Sequence, residues 1–82
     1  MTMDTSNAIE SRLQKVFERV FSNKIAFHLD LKRTDATRWD SLKHVEFMIA
    51  LEQEFGLRFD GADATAMTGI APTLEILRGK LA

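Results

Sequence analysis

The first apolar pattern along the chain has the period of an α-helix. From residue 9 to residue 21 the apolar side chains recur at spacings of one, three or four positions, which places them on one helix face. They are Ile9, Leu13, Val16, Phe17, Val20 and Phe21. Thr5, Ser6 or Asn7 can cap this helix, and Asn7 with Glu10 three residues later is typical of a capping box.

Between residues 24 and 37 the pattern supports two interpretations. Apolar residues alternate with more polar ones at Ile25, Phe27, Leu29 and Leu31. That alternation is typical of a strand, but the only other candidate strand is the short segment 57–59, and two short strands are weak as an independent sheet. We therefore favour a long ordered loop whose alternate apolar side chains hold it against the helices, with the strand as the alternative.

The sequence over residues 41–55 predicts the second long helix. Asp40 has the side chain of a good N-cap, and Gly56 stands where a glycine commonly ends a helix. The Asp40 carboxylate can accept hydrogen bonds from the first free backbone amides. This leaves the hydroxyl of Ser41 unused, although Ser41 could instead serve as the cap itself, as serines at helix starts often do.

Two further helices complete the predicted architecture. A short helix is expected over residues 64–68, with Asp63 as its cap and Gly69 as its stop. The last helix is expected over residues 72–81, because Pro72 suits a first helical turn. The predicted fold is all-α: a small four-helix bundle with three main helices, one short helix and a long loop between helices 1 and 2.

The helix over 41–55 carries more apolar residues than one buried face needs. At about 100° per residue, one apolar arc faces the core and a second lies beside it. The core arc contains Phe47, Met48, Leu51 and Phe55. The neighbouring arc contains Leu42, Val45 and Ile49. It is bordered by Glu46, Glu52 and Gln53. Burial on two sides would explain the second arc, and so would a strip on which partner proteins dock.

Composition limits the classes of protein that this chain can represent. Eighty-two residues form one domain, which we expect over 6–82 after a disordered lead over 1–5. The absence of cysteine excludes disulfides and thiolate zinc sites. A net charge of −1 with interspersed signs argues against nucleic acid as a partner. No apolar run approaches the roughly 20 residues of a membrane span. We expect a cytoplasmic monomer, and two histidines without cysteine lead us to expect no bound metal.

Asp40, Ser41 and His44 are close enough in sequence to suggest a hydrolytic triad. The chain has no Gly-x-Ser-x-Gly elbow, however, and Asp40 is better used as a cap. We therefore assign no catalytic residue and expect no enzymatic activity. His44 falls within the core arc, which indicates a partly buried histidine, and Trp39 is expected to attach the preceding loop to the bundle.

The tripeptide Asp40-Ser41-Leu42, followed by a helix that ends in LEQEF at 51–55, resembles the acyl carrier protein family. The resemblance covers residues 9–81 and is strongest over 39–59. It implies that Ser41 receives 4′-phosphopantetheine from coenzyme A through a phosphopantetheinyl transferase, with Asp40 and Leu42 beside the attachment site. The arm would carry an acyl, aminoacyl or polyketide group as a thioester. Its partners would be a loading ligase and downstream synthase or transferase enzymes.

The resemblance also implies two different roles for residues of the second long helix. The residues that would contact the transferase and client enzymes are Asp40, Leu42, Val45, Glu46, Ile49 and Glu52. The residues that would line the interior are Phe47, Met48 and Leu51. The helical arcs give the same division without the family.

The chain departs from the carriers of bulk fatty acid synthesis at several positions. Those relatives are strongly acidic after Asp-Ser-Leu, whereas this chain has Lys43 and His44 there and is nearly neutral. The sequence Trp39-Asp40-Ser41-Leu42 looks like discrete carriers of specialised biosynthetic pathways, which we favour. The alternative is a small helical adaptor that binds a partner through the same strip, with Ser41 unmodified.

Overall fold

The computed structural model describes the backbone of residues 5–81 and the side chains of residues 8–81. Across residues 5–81 the chain forms four α-helices and no strand, which confirms the predicted all-α class. The helices are α1 (Thr5–Phe21), α2 (Ser41–Phe55), α3 (Gly61–Ala66) and α4 (Ile70–Leu81). The predicted lead over 1–5 and the side-chain caps at residues 5–7 lie outside the described side chains, although Thr5 already has helical backbone.

The core forms where the apolar face of α1 packs against α2 and α4. From α1 the buried side chains are Ile9, Leu13, Val16, Phe17 and Phe21. Val20, predicted on the same face, is only partly buried. Facing them are Phe47, Leu51 and Phe55 of α2 and Ile70, Leu74 and Leu77 of α4. Each such side chain contributes about 1.5–3 kcal/mol relative to an exposed position, so the packing of α1 against both helices is a large part of the stability.

Both ends of α2 are set by local chemistry, at the predicted residues. Asp40 has extended backbone, and its carboxylate accepts the backbone N–H of Lys43 at 2.9 Å. At the other end Gly56 adopts a left-handed conformation with φ of 65°, and its N–H donates to the Glu52 carbonyl. Because glycine adopts this conformation at little cost, the helix ends there.

The predicted boundaries of α3 are wrong, because Asp60 rather than Asp63 is its cap. Asp60 accepts the Asp63 amide at 2.8 Å while Asp63 accepts the Asp60 amide at 3.1 Å, which is a reciprocal capping box. The helix therefore begins at Gly61 and ends at Ala66. Asp63 also pairs with Lys80 of α4 at 2.8 Å, and this hydrogen bond holds the pKa of the Asp63 carboxyl below its usual range.

The last helix begins at Ile70, two residues before the predicted start, with Pro72 in its first turn. The backbone N–H of Ile70 donates to the Leu31 carbonyl at 3.0 Å. A segment distant in sequence thus supplies the hydrogen-bond acceptor for an amide at the start of α4. Gly69 therefore lies just before α4 and does not act as the stop of α3. Its carbonyl accepts the buried hydroxyl of Thr73 at 2.7 Å.

Residues 22–40 connect α1 to α2 and include a 3₁₀ turn at Arg33–Asp35. They form no strand with 57–59; instead a single bridge joins Lys32 to Gly69. Leu31 is buried, as the alternation predicts. Leu29 is 41% exposed, contrary to that pattern, because a turn at 29–30 interrupts the alternation.

Gly69 is the position where this connection comes closest to α4. A Cβ atom on Gly69 would lie 2.5 Å from the Leu31 carbonyl oxygen and 3.1 Å from the Lys32 Cα, both of which are backbone atoms. We predict that Gly69→Ala lowers the free energy of unfolding by about 1–3 kcal/mol, because the backbone must shift. Urea unfolding measures this change.

Gly79→Ala is the matched control for that measurement. Gly79 lies within α4, and a Cβ atom there would meet nothing within 4 Å. This substitution should stabilise the protein by about 0.5–1 kcal/mol through helix propensity. Equal stability of Gly69→Ala and wild type would contradict the close approach of the two segments.

Candidate functional site

Trp39 attaches the end of the 22–40 connection to the core. Its side chain is 2% exposed and packs edge-on against Phe17 and Phe47, with ring centroids 5.7 and 5.6 Å away. The Phe21 ring lies 5.6 Å away at a tilt. Such aromatic pairs contribute about 0.5–1.5 kcal/mol each beyond the area they bury. Trp39 thus fixes the position of the chain one residue before Asp40, as its predicted packing role requires.

His44 satisfies the one polar group that Trp39 brings into the core. The indole N–H of Trp39 donates to His44 Nδ1 at 2.9 Å. Because Nδ1 accepts, the imidazole proton is on Nε2, which donates to the Ala64 carbonyl at 3.1 Å. His44 therefore joins the first turn of α2 to α3, and it is buried more fully than the partly buried position predicted from the core arc.

The surroundings of His44 favour its neutral form. Burial lowers the pKa of the imidazole, the hydrogen bond to Ala64 partly opposes that effect, and the positive charge of Arg33 adds to the lowering. Both ring nitrogens are engaged, with Trp39 and Ala64, so His44 is not positioned to take a proton from Ser41. The sequence neighbours Asp40, Ser41 and His44 thus do not form a hydrogen-bonded relay.

Ser41 is exposed and is the first residue of α2. The Asp40 carboxylate carries the capping hydrogen bond, so the Ser41 hydroxyl is not used for that purpose. Among the described residues, the hydroxyl oxygen accepts a hydrogen bond from Nη2 of Arg33, at 3.5 Å. Arg33 also donates through Nε to the Trp39 carbonyl at 3.4 Å.

Arg33 is the residue of this site that the sequence did not indicate. It precedes Ser41 by eight positions, in a segment without regular periodicity, and only the 3₁₀ turn brings its guanidinium back to the start of α2. An arginine in an irregular connection carries no local signal of such a contact.

The second apolar arc of α2 lies on the surface. Leu42 is 70% exposed, Val45 51% and Ile49 49%, whereas Phe47 and Leu51 on the core arc are fully buried. We call Leu42, Val45 and Ile49 the exposed ridge. It follows Ser41 along the same helix, so the interpretation that α2 is buried on two sides is wrong. Met48, at the edge of the core arc, is partly buried.

The two acidic residues beside the exposed ridge differ in their surroundings. Glu46 is exposed and pairs with Lys43 at 3.1 Å. Lys43 also donates to the Val20 carbonyl at 3.3 Å, which ties it to α1. Glu52 is half-buried, and its carboxylate accepts the Phe59 amide at 2.8 Å, which holds the segment after α2. Glu46 therefore presents the more accessible charge.

Residues 5–81 were also compared with the requirements of a metal site and of a membrane span. No three His, Asp or Glu side chains come together there in a group that could hold a metal ion. None of the described helices combines the length and the apolar character needed to cross a membrane.

Comparison with protein-family models found none that matches this chain, and comparison with curated proteins found no match. The features of this chain that bear on function are therefore the Asp40-Ser41-Leu42 sequence, the exposed hydroxyl and the exposed ridge.

Because His44 is buried in its neutral form, we predict that the free energy of unfolding depends on pH. Because the folded pKa lies below that of the unfolded chain, about 6.5, the unfolded state binds more protons as the pH falls through this region. Folding stability should therefore be fully present above about pH 6.5 and decrease as the pH falls toward the folded pKa. Urea unfolding between about pH 5.5 and 7.5 measures it.

Substituting each of the two histidines in turn shows which one causes that pH dependence. His44→Gln should remove most of it, because glutamine does not titrate, whereas His28→Gln at an exposed position should leave it nearly unchanged. An identical pH dependence in wild type and His44→Gln would show that the buried imidazole is not its source.

Proposed function

We propose that this protein is an acyl carrier protein, modified at Ser41 with 4′-phosphopantetheine from coenzyme A. The observation that carries this proposal is an exposed serine hydroxyl at the first residue of α2, relieved of capping by Asp40. A serine whose only role was to cap a helix would occupy position 40 instead. The Asp40-Ser41-Leu42 sequence, by its resemblance to the family, supplies the chemical identity of the modification.

The chain's own residues fit such a group. The 82 residues contain no cysteine, so a carrier of thioesters must obtain its thiol from outside the sequence. A phosphodiester on Ser41 would lie near the free backbone amides and positive dipole end of α2, which stabilise negative charge. The Arg33 guanidinium is a second source of positive charge beside Ser41.

The modification requires a simple displacement at phosphorus. The Ser41 oxygen forms a bond to the phosphorus that carries the pantetheine, the bond from that phosphorus to the nucleotide part of coenzyme A breaks, and adenosine 3′,5′-bisphosphate leaves. The hydroxyl proton passes to a base of the transferase, since His44 is engaged elsewhere. The attached arm then supplies a thiol that carries acyl, aminoacyl or polyketide groups. On this proposal the protein presents its cargo and is not itself an enzyme.

The exposed ridge is proposed as the docking surface for the phosphopantetheinyl transferase, the loading ligase and the downstream enzymes. Leu42, Val45 and Ile49 offer apolar contact next to Ser41. Glu46, and Glu52 with the part of its carboxylate not bound to Phe59, would orient a partner with a basic surface. Edge charges of this kind govern the association rate and register more than the final affinity.

A specialised biosynthetic pathway is favoured over bulk fatty acid synthesis. Lys43 and His44 replace the acidic residues typical of fatty acid carriers, and each has a defined role in this fold. Lys43 is tied to α1 through the Val20 carbonyl, and His44 holds Trp39. The surface beside Ser41 is consequently less acidic, which suits partners with less basic docking surfaces.

The second candidate is a helical adaptor with unmodified Ser41, which the exposed ridge alone would equally support. Incubation with coenzyme A and a broad-specificity phosphopantetheinyl transferase, followed by intact-mass measurement, separates the two. The carrier proposal predicts one phosphopantetheine adduct per chain. Ser41→Ala should take none, and Ser11→Ala, which removes an exposed serine of α1, should be modified like wild type. No adduct with several competent transferases would falsify the carrier proposal and favour the adaptor.

Charge reversal at Glu46 tests the docking surface. We predict that Glu46→Lys slows the initial rate of modification by about threefold to tenfold at low salt, because it removes steering toward the transferase. Glu75→Lys is the matched control, since Glu75 of α4 forms a similar exposed pair, with Arg78 at 3.2 Å. Added salt should reduce the difference between the two variants.

Truncation of the exposed ridge tests its apolar contribution. Ile49→Ala should slow modification while changing the free energy of unfolding by less than about 0.5 kcal/mol, because the side chain is half exposed. Leu29→Ala, at a similarly exposed position outside α2, should leave the rate unchanged. If Glu46→Lys and Ile49→Ala both react as fast as their controls, the ridge is not the docking surface.

A further inference from the structure

We propose that Arg33 is a positioning residue for the group attached at Ser41: its guanidinium pairs with the phosphodiester and fixes the direction in which the arm leaves α2. This inference rests on the proposed modification of Ser41. It assigns a role in that site to a residue of the 22–40 connection, whereas the docking surface lies on α2.

The first support is the placement of Arg33. Its backbone N–H donates to the Thr68 carbonyl at 2.8 Å, so the 3₁₀ turn is anchored to the segment between α3 and α4. From this fixed backbone the side chain reaches the start of α2, where Nη2 lies 3.5 Å from the Ser41 oxygen. A phosphorus bonded to that oxygen would bring its own oxygens within reach of the same guanidinium.

The second support is that the present partners of Arg33 leave much of its hydrogen-bonding capacity unused. Its contacts with the Trp39 carbonyl and the Ser41 hydroxyl are 3.4 and 3.5 Å long, at the weak end of the range for N–H donors. Both acceptors are neutral. Within the described residues Arg33 forms no salt bridge, whereas the four basic residues that do are Arg12, Lys43, Arg78 and Lys80.

A phosphodiester is the acceptor that suits these unused donors. An arginine presents several N–H groups in a planar fork, and phosphate oxygens accept two of them side by side in short, charge-assisted bonds. The contact of Nη2 with the Ser41 oxygen already places the charge of Arg33 at this end of α2. The predicted result is a modified protein in which the 22–40 connection and α2 are linked through the new group.

The experiment compares apo and fully modified protein for wild type, Arg33→Gln, Arg33→Lys and the control Arg58→Gln. Arg58 is an exposed arginine beyond the other end of α2. Intact mass establishes complete modification of each sample, and thermal unfolding then gives the change in Tm caused by the group. For a domain of this size, one charge-assisted contact should raise Tm by about 2–6 °C.

We expect this rise in wild type and Arg58→Gln, a loss of at least half of it in Arg33→Gln, and an intermediate value in Arg33→Lys. Lysine keeps the charge but lacks the planar fork. A merely structural role would lower Tm of the apo and modified forms equally. An equal rise in wild type and Arg33→Gln would overturn the inference while leaving the carrier proposal intact, and a wild-type protein that takes no adduct would overturn both.

A measurement on wild-type protein removes any dependence on variants that fold poorly. The NMR resonance of the Arg33 side-chain Nε–H should shift on modification, because a phosphodiester then lies beside the same guanidinium, whereas that of Arg58 should stay in place. An Arg33 resonance that does not move on modification would contradict the pairing.

Discussion

The burial of Trp39 is the contact on which the rest of this site depends. Its ring lies among Phe17, Phe21 and Phe47, which fixes residue 39 inside the bundle. The next residue is then placed to cap α2, and the one after it opens the helix at the surface. A buried indole N–H without a partner would cost on the order of 1–3 kcal/mol, and His44 removes that cost by remaining neutral. The exposure of the Ser41 hydroxyl thus follows from an aromatic contact two residues earlier.

The second constraint is that the two apolar arcs of α2 differ in burial. The core arc packs on α1, while the side chains of the exposed ridge keep about half or more of their surface in contact with water. Isolated apolar residues on a surface are common, but three along one helix face beside an exposed hydroxyl form a patch of the kind that marks interaction sites. This combination is what the proposed docking of partner proteins on α2 requires.

A helix boundary could be predicted from the sequence where the residues that set it lie close to it along the chain. The bounds of α2 were predicted correctly because Asp40 and Gly56 act within one turn of the helix ends. α3 was misplaced because Asp60 and Asp63 are both acceptable caps, and only their reciprocal hydrogen bonds decide between them. The early start of α4 depends on the Leu31 carbonyl, which lies far away in sequence.

The same distinction applies within the site. Helical periodicity placed Ser41 and the second apolar arc in order along α2, but it left open whether that arc was buried or exposed. The contact between Arg33 and Ser41 could not be predicted, because it crosses an irregular segment in which no period relates one side chain to another. The pairing of Trp39 with His44 was missed for a related reason: periodicity placed both near the core but gave no hydrogen-bond geometry.

The most direct test of the central claim is the mass of the tryptic peptide 39–43, WDSLK, from protein purified from its own cells. Ser41 is the only serine in this peptide, so an adduct on its hydroxyl is unambiguous. The account predicts that the peptide carries phosphopantetheine, either as the free thiol or with an acyl, aminoacyl or polyketide group attached. A peptide that is unmodified throughout the purified population, in cells that contain an active transferase, would contradict it.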